Sequence, residues 1–191
     1  MSDELLIRYC SPTLAGLKTG NLFTCAFSER KELAARIRAF NKKLCPKGLR
    51  ALPLRWQDGR ALIYLYRPGR LAQDLKNGSV AALLRRYGYP CGSPERCVAT
   101  LMHRLRSGAE FPHEIGLFLS YPPEDVQGFI ENQAANCKCV GCWKVYGDKA
   151  AAERTFRRYK ACTDAYYRHW VNGVPVEALA VAAVSCEPCR R

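Results

Sequence analysis

The chain has 191 residues, 48% of them hydrophobic, with 30 Lys and Arg against 17 Asp and Glu and a formal charge of +13. At that length about 70% of the unfolded surface is buried on folding, so a real core is expected. No apolar run reaches the roughly 18 residues of a membrane span, and the acidic start Ser2-Asp3-Glu4 lacks the Lys or Arg of a secretory signal. The expectation is a cytoplasmic protein without a membrane segment. In chain order, residues 5–10 read as a short strand. Ser11-Pro12 then reads as the N-cap and first position of a short helix that runs to about Lys18 and is stopped by Gly20. Residues 21–27 form a second strand candidate. Ser28 is positioned to cap a helix whose apolar residues Leu33, Ile37, Phe40 and Leu44 recur at helical spacing, leaving Lys and Arg on most of the other face. Residues 49–56 and 60–66 flank Asp58-Gly59, the dipeptide that supplies the positive φ angles of a tight hairpin turn. The order from 21 to 66 is therefore β-α-β-β.

Helical segments dominate the remainder. Leu71, Leu75, Leu83 and Leu84 mark helices interrupted at Asn77-Gly78, and Ser93-Pro94-Glu95 opens another that carries Val98, Leu101 and Leu105. Pro112 and Pro123 each suit the first turn of a short helix. Residues 143–146 are strand-like, Asp148 caps a long helix that ends at Asn172-Gly173, and a last helix runs from Pro175 toward Val184. This pattern predicts an α+β fold over residues 1–191 as a single domain, with a small, mostly antiparallel sheet packed with several helices and a helix-rich C-terminal half.

The positive charge is concentrated. Residues 29–107 hold 18 Lys and Arg against 5 Asp and Glu, while the rest of the chain is balanced at 12 against 12. Arg30, Lys31, Arg38, Lys42 and Lys43 are expected to form one exposed face opposite the apolar stripe. Such a face attracts nucleic acid or an acidic partner, for example an acidic redox protein of flavodoxin type; a solvated surface without a partner is the plainer reading.

Eleven cysteines in a reducing compartment argue for metal or redox roles where they cluster and for small core residues where they do not. The cluster is Cys137-Lys138-Cys139-Val140-Gly141-Cys142, within a Cys-rich part spanning 137–189. Three thiols so close can serve zinc or an iron–sulfur cluster, with Cys162, Cys186, Cys189 or His169 as a further ligand. The same spacing suits thiol chemistry without metal, and Lys138 beside two thiols favours their reactivity. These features support a thiolate-site protein in metal or redox homeostasis. A second candidate is Cys10, which the strand-to-helix reading places at a helix start, where a thiolate is stabilised. With His113 as base it would make a cysteine-dependent enzyme of acyl or sulfur transfer. Adjacent residues of a helix point about 100° apart, so Glu114 is not expected to orient His113. In the plainer reading His113 is a surface or capping residue and Glu114 complements the helix dipole.

Three stretches resemble the bacterial family catalogued as domain of unknown function 3793, known chiefly from anaerobic Firmicutes. They are Cys10-Ser11-Pro12-Thr13-Leu14-Ala15-Gly16-Leu17-Lys18, residues 111–130 (FPHEIGLFLSYPPEDVQGFI) and residues 137–146 (CKCVGCWKVY). The likeness covers nearly the whole chain, and its most specific part is the twenty-residue run. It implies a bacterial, soluble, single-domain protein and carries over no catalytic residue. The pair Cys186 and Cys189 lies outside the three stretches.

Overall fold

Ser2 starts the first helix, α1 (Asp3–Leu14), by accepting the Leu5 N–H on its hydroxyl, and Asp3 and Glu4 follow in the first turn, where the helix dipole favours negative charge. The computed structural model, which describes residues 2–108 and 110–183, thus has one helix where the pattern reads as a strand followed by a short helix. The physical reason is the spacing of the buried residues Leu6, Ile7, Cys10 and Leu14, which share one helical face. A run of only six residues is too short for periodicity alone to separate strand from helix. Pro12 is accommodated in the last turn.

Three strands follow around one helix: β1 (Gly20–Ala26), α2 (Arg30–Leu44), β2 (Arg50–Gln57) and β3 (Arg60–Tyr66). Glu29 rather than Ser28 occupies the N-cap of α2. Asp58 and Gly59 have φ of 48° and 68°, as a two-residue hairpin requires, and the sheet is antiparallel throughout in the order β1-β3-β2. Pro53 falls on β2, an edge strand, where a missing N–H is tolerated. The register shifts between Pro53 and Arg55. This bulge reverses the alternation, so Trp56 packs with the α2 side although Leu52 and Leu54 belong to the other. There the Arg30 guanidinium lies 5.0 Å from the Trp56 ring centre.

Alternation along the strands gives the sheet two apolar faces. Phe23, Ala61, Ile63 and Leu65 meet α1 and α2, the latter through Leu33, Ile37, Phe40 and Leu44 as the stripe predicts. Arg30, Lys31, Arg38, Lys42 and Lys43 are exposed. The opposite face, with Leu54, Tyr64 and Tyr66, is covered by α3 (Pro68–Asp74), α4 (Gly78–Arg86), α5 (Pro94–Ser107), a 3-10 segment (His113–Leu119) and α6 (Pro123–Glu131). Asn77 caps α4 and Ser93 caps α5. The chain then forms β4 (Cys139–Val140), β5 (Lys144–Val145), the long α7 (Lys149–Val171) capped by Asp148, and a short α8 (Val176–Leu179) that ends earlier than the pattern suggests. α7 lies along α1. The fold is α+β, and no helix among the described residues is long and apolar enough to cross a membrane.

Candidate functional site: the cysteine hairpin

The 137–142 run folds as one arm and the turn of a small hairpin. Cys139 pairs with Val145 and Val140 with Lys144; Lys138 N donates to Val145 O at 2.8 Å, and Gly141 N to Trp143 O at 3.0 Å. Because side chains alternate, Cys139 shares the inner face with the fully buried Val145, while Val140 and Lys144 face the other way. The inner face packs on α7 through Trp143 and Phe156, whose rings meet edge-on at 4.5 Å. Gly141 is what allows this approach: a Cβ there would stand 2.2 Å from the Phe156 ring.

One buried carboxylate ties the hairpin to the main body. Asp125, 3% exposed in the first turn of α6, accepts from the Trp143 indole at 2.6 Å and from the backbone N–H groups of Tyr146 and Gly147, each at 2.7 Å. Charge-assisted bonds of this kind are short and strong. In sequence Asp125 reads only as a favourable helix-start acid, since its partners lie some twenty residues away on another element.

The three thiols of the run do not converge. Cys139 packs with the Trp143 cluster, Cys137 is half-buried near Tyr146, and Cys142 is exposed in the turn, where its carbonyl accepts from Tyr121 OH at 3.1 Å. Among the described residues, no three His, Cys, Asp or Glu side chains form a group that could hold a metal ion. Cys162 is half-buried on α7, which also carries His169, and Cys186 and Cys189 lie outside the described residues.

The neighbour of Cys142 that sequence reasoning missed is Lys18. Its side chain is buried, 3% exposed, with the ammonium 5.1 Å from the Tyr121 ring centre and 5.8 Å from that of Tyr159. Among the described residues no carboxylate oxygen lies within 4.0 Å of it. Burial lowers its pKa to about 8, opposed by the sulfurs of Cys142 and Cys10. For Cys142 the thiol pKa is raised on balance: burial of the sulfur raises it, and the Lys18 charge, which lowers it, offsets only part. The one sequence signal for Lys18 is its position at the end of the 10–18 stretch that carries the family resemblance.

Cys10 and His113 are not brought together. Cys10 is fully buried in the third turn of α1, not at a helix start, and packs on the α1/α2 face of the sheet. Burial holds its thiol far above the ordinary range, with Lys18 pulling the other way. His113 belongs to the opposite face, where it is exposed and lines an apolar cavity of about 350 Å³ between the 3-10 segment, α6 and the outer face of the hairpin. Its ring is 5.0 Å from that of Phe129 and 5.9 Å from that of Phe111. Glu114 stands in the first turn of the 3-10 segment, where an acid complements the helix dipole, and turns inward. It is 2% exposed, accepts from Tyr89 OH at 2.8 Å and lies 2.8 Å from Arg104 Nε, which approaches off the line of a good hydrogen bond.

Apart from Leu22 of β1, the cavity walls and the hairpin are built from the 111–130 and 137–146 stretches, so two of the three stretches that carry the family resemblance form one connected region. No curated protein and no solved structure matches the chain at a significant level. A family described as "Protein of unknown function (DUF3793)" matches residues 6–180, which take in most of α1, the sheet, the Asp125-tied hairpin, Lys18 and α7, and the chain belongs to that family.

Proposed function

We propose that the protein works through its hairpin thiols in metal or redox homeostasis, with Cys142 as the reacting sulfur. The observation that carries this reading is the exposed Cys142 beside a buried Lys18 ammonium that has no carboxylate partner among the described residues. A thiolate at Cys142 supplies the missing countercharge, so deprotonation at sulfur and protonation of Lys18 favour one another. Three sulfurs that face three surroundings, on a backbone held by Asp125, favour the thiol-redox form of the reading over a closed zinc or iron–sulfur site.

In that form a peroxide is the oxidant. The Cys142 thiolate attacks one peroxide oxygen, the O–O bond breaks, sulfur is oxidised to sulfenic acid, and the departing hydroxide takes a proton from Lys18 to leave as water. Anaerobic purification with elemental analysis, followed by limited peroxide treatment and dimedone trapping mapped by peptide mass, separates the forms. The expected result is metal-free, folded protein with the trapped adduct on Cys142. Bound zinc or iron that is lost in Cys142→Ser would move the reading to a metal site. Metal-free protein with Cys142 unmodified would contradict both.

A further inference from the structure

A cavity of about 810 Å³ opens where the ends of α1 and α2, the start of β2, α3 and residues 181–183 meet. Its volume falls in the range of sites that hold small organic ligands. Three arginines line it, Arg50, Arg67 and Arg70, and no Asp or Glu does. None of the three has a carboxylate oxygen within 4.0 Å among the described residues. Two acids lie nearby without forming an ion pair: Asp74 accepts from Thr19 and feels the Arg70 charge, and Glu95 accepts from Ser93 and feels the Arg50 charge.

Arg67 forms the floor. It is 4% exposed and its donors are taken by the carbonyls of Thr13, Leu14 and Val181, so it contributes fixed charge to the cleft with little remaining hydrogen-bonding capacity. Burial lowers its pKa, and the charge of Arg70 lowers it further, which places two like charges in mutual reach. Arg70 is half-buried and Arg50 exposed, and both line the cleft; Arg50 also reaches the Tyr66 phenol beside it on the sheet. Leu49, Val181 and Ala183 supply apolar wall for the rest of a ligand.

We propose that this cleft binds a small molecule through a phosphate group, with Arg50 and Arg70 as the direct ligands and Arg67 as a buried positive charge beneath them. Phosphate suits the site because its dianion neutralises more than one guanidinium and accepts their paired N–H groups in a fork. This inference stands apart from the thiol reading, since no residue of the hairpin lines the cleft.

Calorimetric titration of the full-length protein at low salt, with inorganic pyrophosphate and with adenosine 5′-monophosphate as probes, tests it. The expected result is one saturable site for at least one probe, weakened tenfold or more by Arg50→Gln and by Arg70→Gln, and unchanged by Lys31→Gln on the exposed side of α2. Circular dichroism checks each variant; if Arg70→Gln unfolds, Arg50→Gln decides. No saturable binding of either probe, equal weakening by Lys31→Gln, or binding confined to single- or double-stranded DNA would overturn the proposal.

Discussion

Asp125→Ala is expected to cost about 4 kcal/mol of folding free energy, because three donors lose a charged acceptor and hydrogen bonds to charged groups contribute roughly 1.5–3 kcal/mol each without adding fully. For a chain of this size that is a fall of roughly 8–16 °C in Tm. The donors left behind are the Trp143 indole, which sits in the small core against α7, and the N–H groups at the end of β5. Asp125→Asn is expected to fall between, at about 2 kcal/mol, since its single carbonyl oxygen serves part of the set and its amide N–H₂ opposes the rest. Urea unfolding followed by Trp fluorescence and far-ultraviolet dichroism checks both. A loss under about 1 kcal/mol for the Ala variant would show that Asp125 does not hold the hairpin.

Arg67→Ala carries a comparable expected effect, about 4 kcal/mol, for a different reason. The last carbonyls of a helix have no partner within it, and Arg67 supplies one to Thr13 O at 2.8 Å and to Leu14 O at 2.7 Å, where positive charge also complements the helix dipole. A third bond, to Val181 O at 2.7 Å, fastens residues beyond α8 to the same point. Lys47 works beside it, donating to Glu177 O at 2.6 Å and Ala180 O at 3.0 Å. Arg67→Lys is expected to lose about half as much, since one ammonium cannot reproduce the planar fork. If chemical unfolding shows Arg67→Ala within about 1 kcal/mol of the parent, this account of the α1 C-terminus is wrong.

Where local rules decided the structure, the chain was readable from its letters. Leu33, Ile37, Phe40 and Leu44 gave α2 its buried face, Asp58-Gly59 marked the β2–β3 turn, Asn77-Gly78 marked a break between helices, and Ser93 and Asp148 marked helix starts. Residues 5–10 failed because a short apolar run fits both periods, and only packing against β1 and α7 selects the helix. The site was half legible for the same reason. Density of thiols pointed to the 137–142 run, but the direction each sulfur faces depends on the β4–β5 pairing and on Gly141 yielding to Phe156. Lys18, Asp125 and Arg67 owe their roles to partners 18 to 114 residues away or to burial alone, and no local pattern encodes either. The reading of Cys10 as a nucleophile depended on a helix start at Ser11, and its premise goes once α1 begins at Asp3.

The pairing of Lys18 with Cys142 is tested most directly by the rate at which iodoacetamide alkylates Cys142, measured by peptide mass across pH in the parent and in Lys18→Met. Below about pH 8 Lys18 is charged and lowers the thiol pKa, so its removal is expected to slow Cys142. The slowing is roughly threefold for each unit by which the thiol pKa rises, because higher nucleophilicity of the more basic sulfur offsets part of the smaller thiolate fraction. The difference should close as pH rises well above 8 and Lys18 loses its proton, while Cys45, exposed at the end of α2, reacts equally in both proteins. Equal rates at Cys142 in the two folded proteins at pH 7, or an equal slowing at Cys45, would contradict the account.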